Sequence, residues 1–116
     1  MKSLVEQHEG ALIVKLKGRI DIGVGDVQLR QVLQDVEKQH IARVILDMAK
    51  VGYMDSSGMG ELICQYTMLK ESGIELVLTN LNTKVYNLMM ITQMVTVFTI
   101  FDSNEDAMQM FMQAAA

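Results

Sequence analysis

The continuous apolar run Val44-Ile45-Leu46 is the feature that most restricts the fold of this 116-residue chain. A strand with one wet face alternates apolar and polar residues, whereas a strand covered on both faces reads as an unbroken apolar run. The run therefore predicts a sheet with helices on both sides over at least part of its extent, or with one face closed by a partner. An α/β fold is the expectation.

After this run, strand-like and helix-like segments alternate along the chain. The helical segments place apolar residues three and four positions apart, and the strand segments are short apolar or alternating runs. The predicted order is a helix from Met59 to Leu69 ending at Ser72-Gly73, a strand from Ile74 to Thr79, a short helix capped by Asn80 or Asn82, a last strand from Val95 to Phe101, and a helix opened by Ser103 with Asp106. Such alternation implies right-handed crossovers and a mostly parallel sheet.

The chain before Val44 adds a hairpin and one more helix. The predicted hairpin has two strands joined by a turn: Leu4 to His8, Glu9-Gly10, and Ala11 to Lys17. After a glycine-rich loop, residues 18–25, apolar residues recur at helical spacing: Leu29, Val32, Leu33 and Val36. This helix is expected to be capped near Asp26 and closed by His40. We therefore predict a single α/β domain over residues 1–116, with a mixed, mostly parallel sheet of about five strands and about four helices.

The octapeptide Met54-Asp55-Ser56-Ser57-Gly58-Met59-Gly60-Glu61 reads as a turn from a strand into a helix. Asp and Ser side chains accept hydrogen bonds from the free N–H groups of a first helical turn, so one of Asp55, Ser56 and Ser57 is expected to be the cap. Gly58 and Gly60 each cost about 1 kcal/mol relative to Ala inside a helix, and the missing Cβ lets another backbone approach closely. A hydroxyl at a helix N-terminus is also well placed to carry a phosphate, because the free N–H groups and the helix dipole favour an anion there. On these residues alone, a phosphorylated switch and a simple capped turn both remain open.

Composition restricts the partners. A formal net charge of -4 and a pI near 5.0 give no basic footprint for nucleic acid or for an anionic membrane. The apolar runs are far too short for a membrane span, and the N-terminus does not resemble a secretion signal. The single cysteine, Cys64, excludes an intramolecular disulfide and fits a reducing compartment. We expect a cytoplasmic protein that binds neither nucleic acid nor membrane.

Catalytic constellations are missing from the sequence. His8 and His40 have no acidic or cysteine neighbours at metal-ligand spacing, and Cys64 lacks an evident base. A serine hydrolase would need G-x-S-x-G around Ser56, and the chain has Asp55-Ser56-Ser57-Gly58 instead. We therefore predict no catalytic residue, no metal and no cofactor. A small hydrolase acting through Ser56 is the weakest alternative.

The order of elements, with Asp-Ser-Ser-Gly-Met-Gly at the third strand-to-helix turn, resembles the STAS domain family and specifically its single-domain anti-sigma factor antagonists. Three further landmarks resemble that family: Gly18-Arg19-Ile20-Asp21, Val44-Ile45-Leu46-Asp47 and Ser72-Gly73-Ile74-Glu75-Leu76. The resemblance implies that Ser56 is the phosphoacceptor, with Ser57 as the alternative. It also implies a partner contact formed by Asp21, Met54, Asp55, Ser57, Gly58, Met59 and Gly60.

The function implied by the resemblance is partner switching. The unphosphorylated form would bind an anti-sigma factor that is also a serine kinase and so release the sigma factor, and a serine phosphatase would reverse the modification. Such a chain is expected to be a monomer or weak dimer. The alternative is a STAS-type scaffold subunit of a larger signalling assembly, with the apolar last strand as its interface. Two departures from the family pattern, Ile22-Gly23-Val24-Gly25 and Gln93, affect the surface beside the motif more than the fold.

Overall fold

The computed structural model describes residues 1–115. In chain order the elements are β1 Lys2–His8, β2 Ala11–Ile20, α1 Gly25–Glu37, β3 Arg43–Met54, α2 Ser56–Glu71, β4 Glu75–Thr79, α3 Thr83–Ile91, a 3₁₀ turn Met94–Thr96, β5 Thr99–Phe101 and α4 Asn104–Ala115. This arrangement confirms the predicted α/β class and element order, while Ala116 lies outside the described residues. None of the described helices has the length and apolarity that crossing a membrane requires.

The five strands form one sheet in the order β1-β2-β3-β4-β5. β1 pairs with β2 in antiparallel fashion, and β2, β3, β4 and β5 pair as parallel neighbours. Both the hairpin and the mostly parallel sheet are therefore confirmed. β3 lies at the centre of the sheet, which accounts for the continuous apolar run at its start.

Helices cover the two faces of the sheet unequally. The main core packs α1, α2 and α3 on one face, through residues such as Leu29, Leu62 and Met89. A smaller cluster forms under α4 on the other face, where Ala107 and Phe111 contact Ala11, Ile13, Ile45 and Val77. The prediction that helices cover both sides of the sheet in part of its extent is confirmed.

The second half of β3 is buried at every third residue rather than at every second one: Met48, Val51 and Met54 are buried, and the two residues between each pair are exposed. The pairing with β2 shifts register twice over this stretch. At each shift β3 advances by one residue more than β2, as in a β-bulge, which also increases the local twist. After the second bulge, β3 ends at Met54, directly before the turn.

Several predicted boundaries are corrected by the structure. The last strand is only Thr99–Phe101, because Gln93 takes a left-handed conformation with φ 61° and starts a 3₁₀ turn. β2 continues through the predicted loop to Ile20, since residues 17–20 still pair with β3.

The first helix also differs from its prediction. It begins at Gly25 after Val24 and has no side-chain cap. Asp26 lies inside its first turn, where its carboxylate accepts a hydrogen bond from the Gly23 N–H at 3.0 Å. The helix ends at Glu37, three residues before His40.

Candidate functional site

Asp55 is the cap of α2. Its backbone is extended, with φ -103° and ψ -176°, and its Oδ1 accepts a hydrogen bond from the Gly58 N–H at 2.8 Å. The side chain thereby satisfies one of the free N–H groups of the first helical turn. Of the three cap candidates, the structure selects Asp55 and leaves Ser56 and Ser57 as the first two residues of the helix.

The same carboxylate binds the loop that follows β2. Ile20 pairs with Met54 across the parallel strands, so both chains leave the sheet side by side. The Asp55 N–H donates to the Ile20 carbonyl at 3.3 Å, and the Ile22 N–H donates to Asp55 Oδ2 at 3.0 Å. Asp21 lies between these two contacts and is therefore beside the turn.

Hydrogen bonds to backbone N–H groups lower the pKa of Asp55. The bond from Gly58 is the largest cause and the bond from Ile22 the next, and the partial burial of the carboxyl opposes them. Donors of this kind stabilise the charged form of a carboxyl. Asp55 is therefore an anion at neutral pH, held at the start of the helix where the dipole also favours it.

Gly58 and Gly60 have opposite surroundings. A Cβ on Gly58 would overlap the Ile20 carbonyl oxygen, so the glycine is what allows α2 to approach the end of β2. A Cβ on Gly60 would have no neighbour within 4 Å. The packing of the chain itself therefore accounts for Gly58 and gives no reason for Gly60.

The predicted site residues divide by exposure. Ser56 and Gly60 are exposed, and Asp21, Asp55 and Ser57 are partly exposed. Met54, Gly58 and Met59 are buried, and both methionines belong to the main core. These three residues have almost no surface to offer a partner, and they pack in the fold beneath the exposed residues of the turn.

Exposed apolar side chains in the loop after β2 and in the first turn of α1 are not among the predicted site residues. Ile22 is 72% exposed, Val24 61% and Val27 48%, and the Ile22 N–H is the group bonded to Asp55. In the sequence, the segment Ile22-Gly23-Val24-Gly25 is recognisable only as a departure from a family pattern. Isoleucine and valine in a short glycine-containing loop, with no helical or strand periodicity to bury them, were the available signal.

Two ion pairs border the turn. Arg19 Nε donates to Asp21 Oδ2 at 3.1 Å, and the Arg19 guanidinium lies 4.2 Å from the centre of the Tyr53 ring. On the helix side, Arg30 of α1 donates to Glu61 at 2.7 Å, and Glu61 also accepts from Gln65. The bond from Arg30 is the main cause that lowers the pKa of Glu61. This pair joins α1 to α2 next to the turn.

The Ser56 hydroxyl is exposed, and among residues 1–115 no carboxylate is hydrogen-bonded to it. Two carboxylates at the turn have other partners, Asp55 with two backbone N–H groups and Asp21 with Arg19. A serine nucleophile needs a positioned base. What the geometry offers is an exposed Ser56 at a helix N-terminus, next to exposed apolar side chains.

Comparison with known proteins places this geometry in a family. The sequence profile of the STAS domain matches residues 2–107. The chain is 31% identical over 105 residues to the anti-sigma-B factor antagonist of Bacillus subtilis (strain 168), covering 90% of this chain and 94% of that protein. It is 26% identical over 104 residues to the anti-sigma F factor antagonist of Paenibacillus polymyxa, covering 90% of this chain and 89% of that protein.

Solved structures share the fold. An anti-sigma factor antagonist from Mycobacterium paratuberculosis superimposes with a TM-score of 0.79 at 26% identity, over 93% of this chain and 91% of that one. The unphosphorylated form of SpoIIAA, a Bacillus protein, superimposes with a TM-score of 0.69 at 17% identity, over 97% and 98% of the two chains. Because the profile spans most of the sequence and the relatives align over about nine tenths of it, this chain belongs to the STAS domain family.

Proposed function

We propose that this chain is an anti-sigma factor antagonist, a binding module whose contact with an anti-sigma factor is controlled by phosphorylation of Ser56. One observation carries the proposal: Ser56 is an exposed hydroxyl in the first turn of α2, directly after Asp55, whose carboxylate accepts a hydrogen bond from the N–H of the exposed Ile22. The names of its relatives support the same class of function. Its partner would be an anti-sigma factor that is also a serine kinase, with a serine phosphatase restoring the free hydroxyl.

The contact surface in this proposal combines the exposed part of the turn with exposed apolar residues of the loop after β2 and of the first turn of α1. Ile22, Val24 and Val27 supply apolar area that water leaves when a partner docks, and this is favourable in proportion to the area buried. Gly60 fits the same role, because it costs about 1 kcal/mol inside a helix and no neighbour in the chain requires it. A partner whose backbone comes close to Gly60 would require a residue without a Cβ at this position.

Phosphorylation changes this surface without unfolding the chain. A phosphate on Ser56 adds about -1.5 to -2 charges, which the N-terminus of α2 partly stabilises. Asp55 is already ionised next to it, so the local charge becomes strongly negative. Burying that charge against an apolar partner without a matching cation costs several kcal/mol. Since each 1.4 kcal/mol is tenfold in affinity, the partner is released.

Two substitutions at Ser56 test the switch. We expect Ser56→Ala to bind the purified kinase within about tenfold of the parent, and Ser56→Asp to bind more than about tenfold weaker, a gap of at least about 1.4 kcal/mol. Thr67→Asp is the matched control, since it adds the same charge to α2 at an exposed position remote from the first turn. Calorimetric titration gives the three affinities, and circular dichroism checks that each variant is folded.

Equal affinities of folded Ser56→Ala and Ser56→Asp would contradict the proposal. Incubation with the kinase and ATP gives a second measurement, in which the parent gains one phosphate at Ser56 and Ser56→Ala gains none. Mapping to Ser57 would move the switch by one residue. Light scattering separates the proposal from the scaffold alternative, because we expect a monomer or weak dimer in the cytoplasm, and a large ring or shell would indicate a scaffold.

A further inference from the structure

Three lysines form a row across neighbouring strands on the sheet face opposite α2. Lys2 of β1 is the direct partner of Lys17 of β2, and Lys17 is the direct partner of Lys50 of β3. Direct partners point to the same face of a sheet. Neighbouring strands are about 4.8 Å apart, so the three side chains start within about 10 Å of one another. All three are exposed.

The row is part of a larger concentration of positive charge in an acidic chain. Of the ten lysine and arginine residues, five are exposed on this face: Lys2, Lys15, Lys17, Arg19 and Lys50. Lys15 is paired with Glu6 at 3.2 Å and Arg19 with Asp21 at 3.1 Å. The structure shows no such pair for the three lysines of the row among residues 1–115, and like charges placed directly opposite destabilise a sheet.

Between the lysines the surface is apolar and concave. A groove of about 320 Å³ is lined by the row together with Ser3, Leu4, Lys15, Leu16, Asp47 and Ala49. Asp47 is buried, and its carboxylate is occupied by hydrogen bonds from the Ala49 N–H, Asn80 and Asn104. Leu4 is 58% exposed. Ala49 faces the groove because the first bulge of β3 turns both Ala49 and Lys50 to this face. An apolar floor with a cationic rim is complementary to a ligand that has an apolar stripe flanked by carboxylates.

α4 shows what kind of element lies on this face. It covers the other half of the same face through Ala107 and Phe111, and it carries Glu105 and Asp106 in its first turn. A helix with its side chains is about 10 Å across, and the uncovered half spans β1, β2 and the bulged part of β3. The open half therefore has the width of one more helix beside α4.

We infer that this groove, the lysine groove, docks an acidic amphipathic helix of a partner protein. Its site lies on the sheet face opposite α2 and needs neither Ser56 nor its phosphate, so it is a second contact surface. Carboxylates of the helix pair with Lys2, Lys17 and Lys50, which removes the repulsion within the row. Apolar residues of the helix cover Leu4 and Ala49. A longer polyanion is less suitable, because beyond the groove the remaining surface of a chain with net charge -4 repels it.

The test uses a fluorescein-labelled 18-residue helical peptide of leucine, alanine and glutamate, and the same peptide with every glutamate replaced by glutamine. We expect the acidic peptide to bind the full chain, the glutamine peptide to bind at least tenfold weaker, and added salt to weaken the acidic peptide. A triple variant, Lys2→Gln, Lys17→Gln and Lys50→Gln, should lose at least tenfold in affinity. The matched control, Lys38→Gln, Lys70→Gln and Lys84→Gln, carries the same net charge and should keep the affinity within about threefold.

Fluorescence anisotropy measures these affinities, and amide NMR shifts locate the peptide, expected on β1, β2 and residues 47–50. Equal loss in the two triple variants would overturn the inference, because it would mean attraction by net charge alone. So would shifts confined to the turn at Ser56. A 20-nucleotide single-stranded DNA and phosphatidylserine vesicles are tested in the same way. If either binds the parent more tightly than the acidic peptide does, and loses this binding in the Lys2/Lys17/Lys50 variant, the choice of an acidic helix is overturned.

Discussion

Gly58 and Gly60 lie two residues apart in α2, yet their replacement by alanine should have opposite effects. Gly58→Ala places a methyl group on the Ile20 carbonyl, and overpacking of this kind costs about 1–3 kcal/mol or more. Gly60→Ala meets open space and should stabilise the helix by about 0.5–1 kcal/mol. Urea unfolding of both variants measures the difference. A Gly58→Ala chain as stable as the parent would mean that α2 is not held by this contact.

Asp55 should make stability depend on pH in the acid range. Its pKa is lowered in the folded chain, so its contribution is fully present above the unfolded value of about 3.9 and is lost as the pH falls through the folded value. Asp55→Asn keeps an acceptor for one N–H group and turns an amide toward the other. We expect it to be about 1 kcal/mol or more less stable at pH 7.

The parent and Asp55→Asn should differ less in stability at low pH than at pH 7. Urea unfolding at pH 7, 5 and 3 measures the difference in the free energy of unfolding between the parent and Asp55→Asn. This difference should narrow between pH 5 and pH 3, because Asp55 takes up a proton in the unfolded chain before it does so in the folded chain. The other carboxyls titrate in both chains, so the comparison isolates Asp55. A gap that stays constant over this range would contradict the cap geometry.

The identity of the turn could be predicted from the sequence, but the exposure of its residues could not. Asp and Ser before two glycines indicate a capped helix start from residue types alone. Whether Met54 and Met59 face a partner or the core depends on how closely the end of β2 approaches, and that distance is set by Gly58 against Ile20. Gly58 and Ile20 are more than thirty residues apart in the sequence, and the residue pattern of neither segment gives the distance between them.

At the scale of elements, the hydrogen bonds of Asp47 attach α4 to the sheet. Burial raises the pKa of Asp47, but bonds from the Ala49 N–H, Asn104 and Asn80 outweigh it and leave the pKa lowered. Asn104 is the first residue of α4 and also accepts from Thr79 at 2.6 Å. One carboxylate thus connects β3, the loop after β4 and the start of the helix.

Removing this carboxylate should loosen α4. Asp47→Ala leaves the amides of Asn80 and Asn104 without their acceptor, and an unsatisfied buried group costs about 1–3 kcal/mol. Asp102→Ala removes an exposed carboxylate close to the same helix and should change stability by less than about 0.5 kcal/mol. Thermal unfolding compares the two. Equal effects would mean that the Asp47 network does not hold the helix.

The last strand shows where sequence periodicity fails. Residues 95–101 alternate as a strand would, but only Thr99–Phe101 form the strand, and the four residues before it take other geometry. Gln93 in the left-handed region starts a 3₁₀ turn, and Phe98 is buried with its ring 5.0 Å from that of Tyr66, edge to face. Over so few residues an aromatic that packs on a neighbouring helix produces the same pattern as a strand.

For the whole molecule, the unequal layers predict unequal protection from hydrogen exchange. α2 contacts the main core through Met59, Leu62 and Leu69, whereas α4 contacts a much smaller cluster. Local opening is easiest where few apolar contacts are lost. Amide exchange followed by NMR should therefore be faster in α4 than in α2 and β3. The prediction is wrong if α4 exchanges as slowly as β3.

The contact of Gly58 with the Ile20 carbonyl also bears on the speed of the proposed switch. The first turn of α2 lies against the end of β2, so the helix cannot slide toward the sheet while the fold persists. A group attached to Ser56, or removed from it, therefore alters the surface while the backbone stays in place. If Ser56 is the switch that we propose, no slow rearrangement follows the covalent change, and the chain responds as fast as the modifying enzymes act.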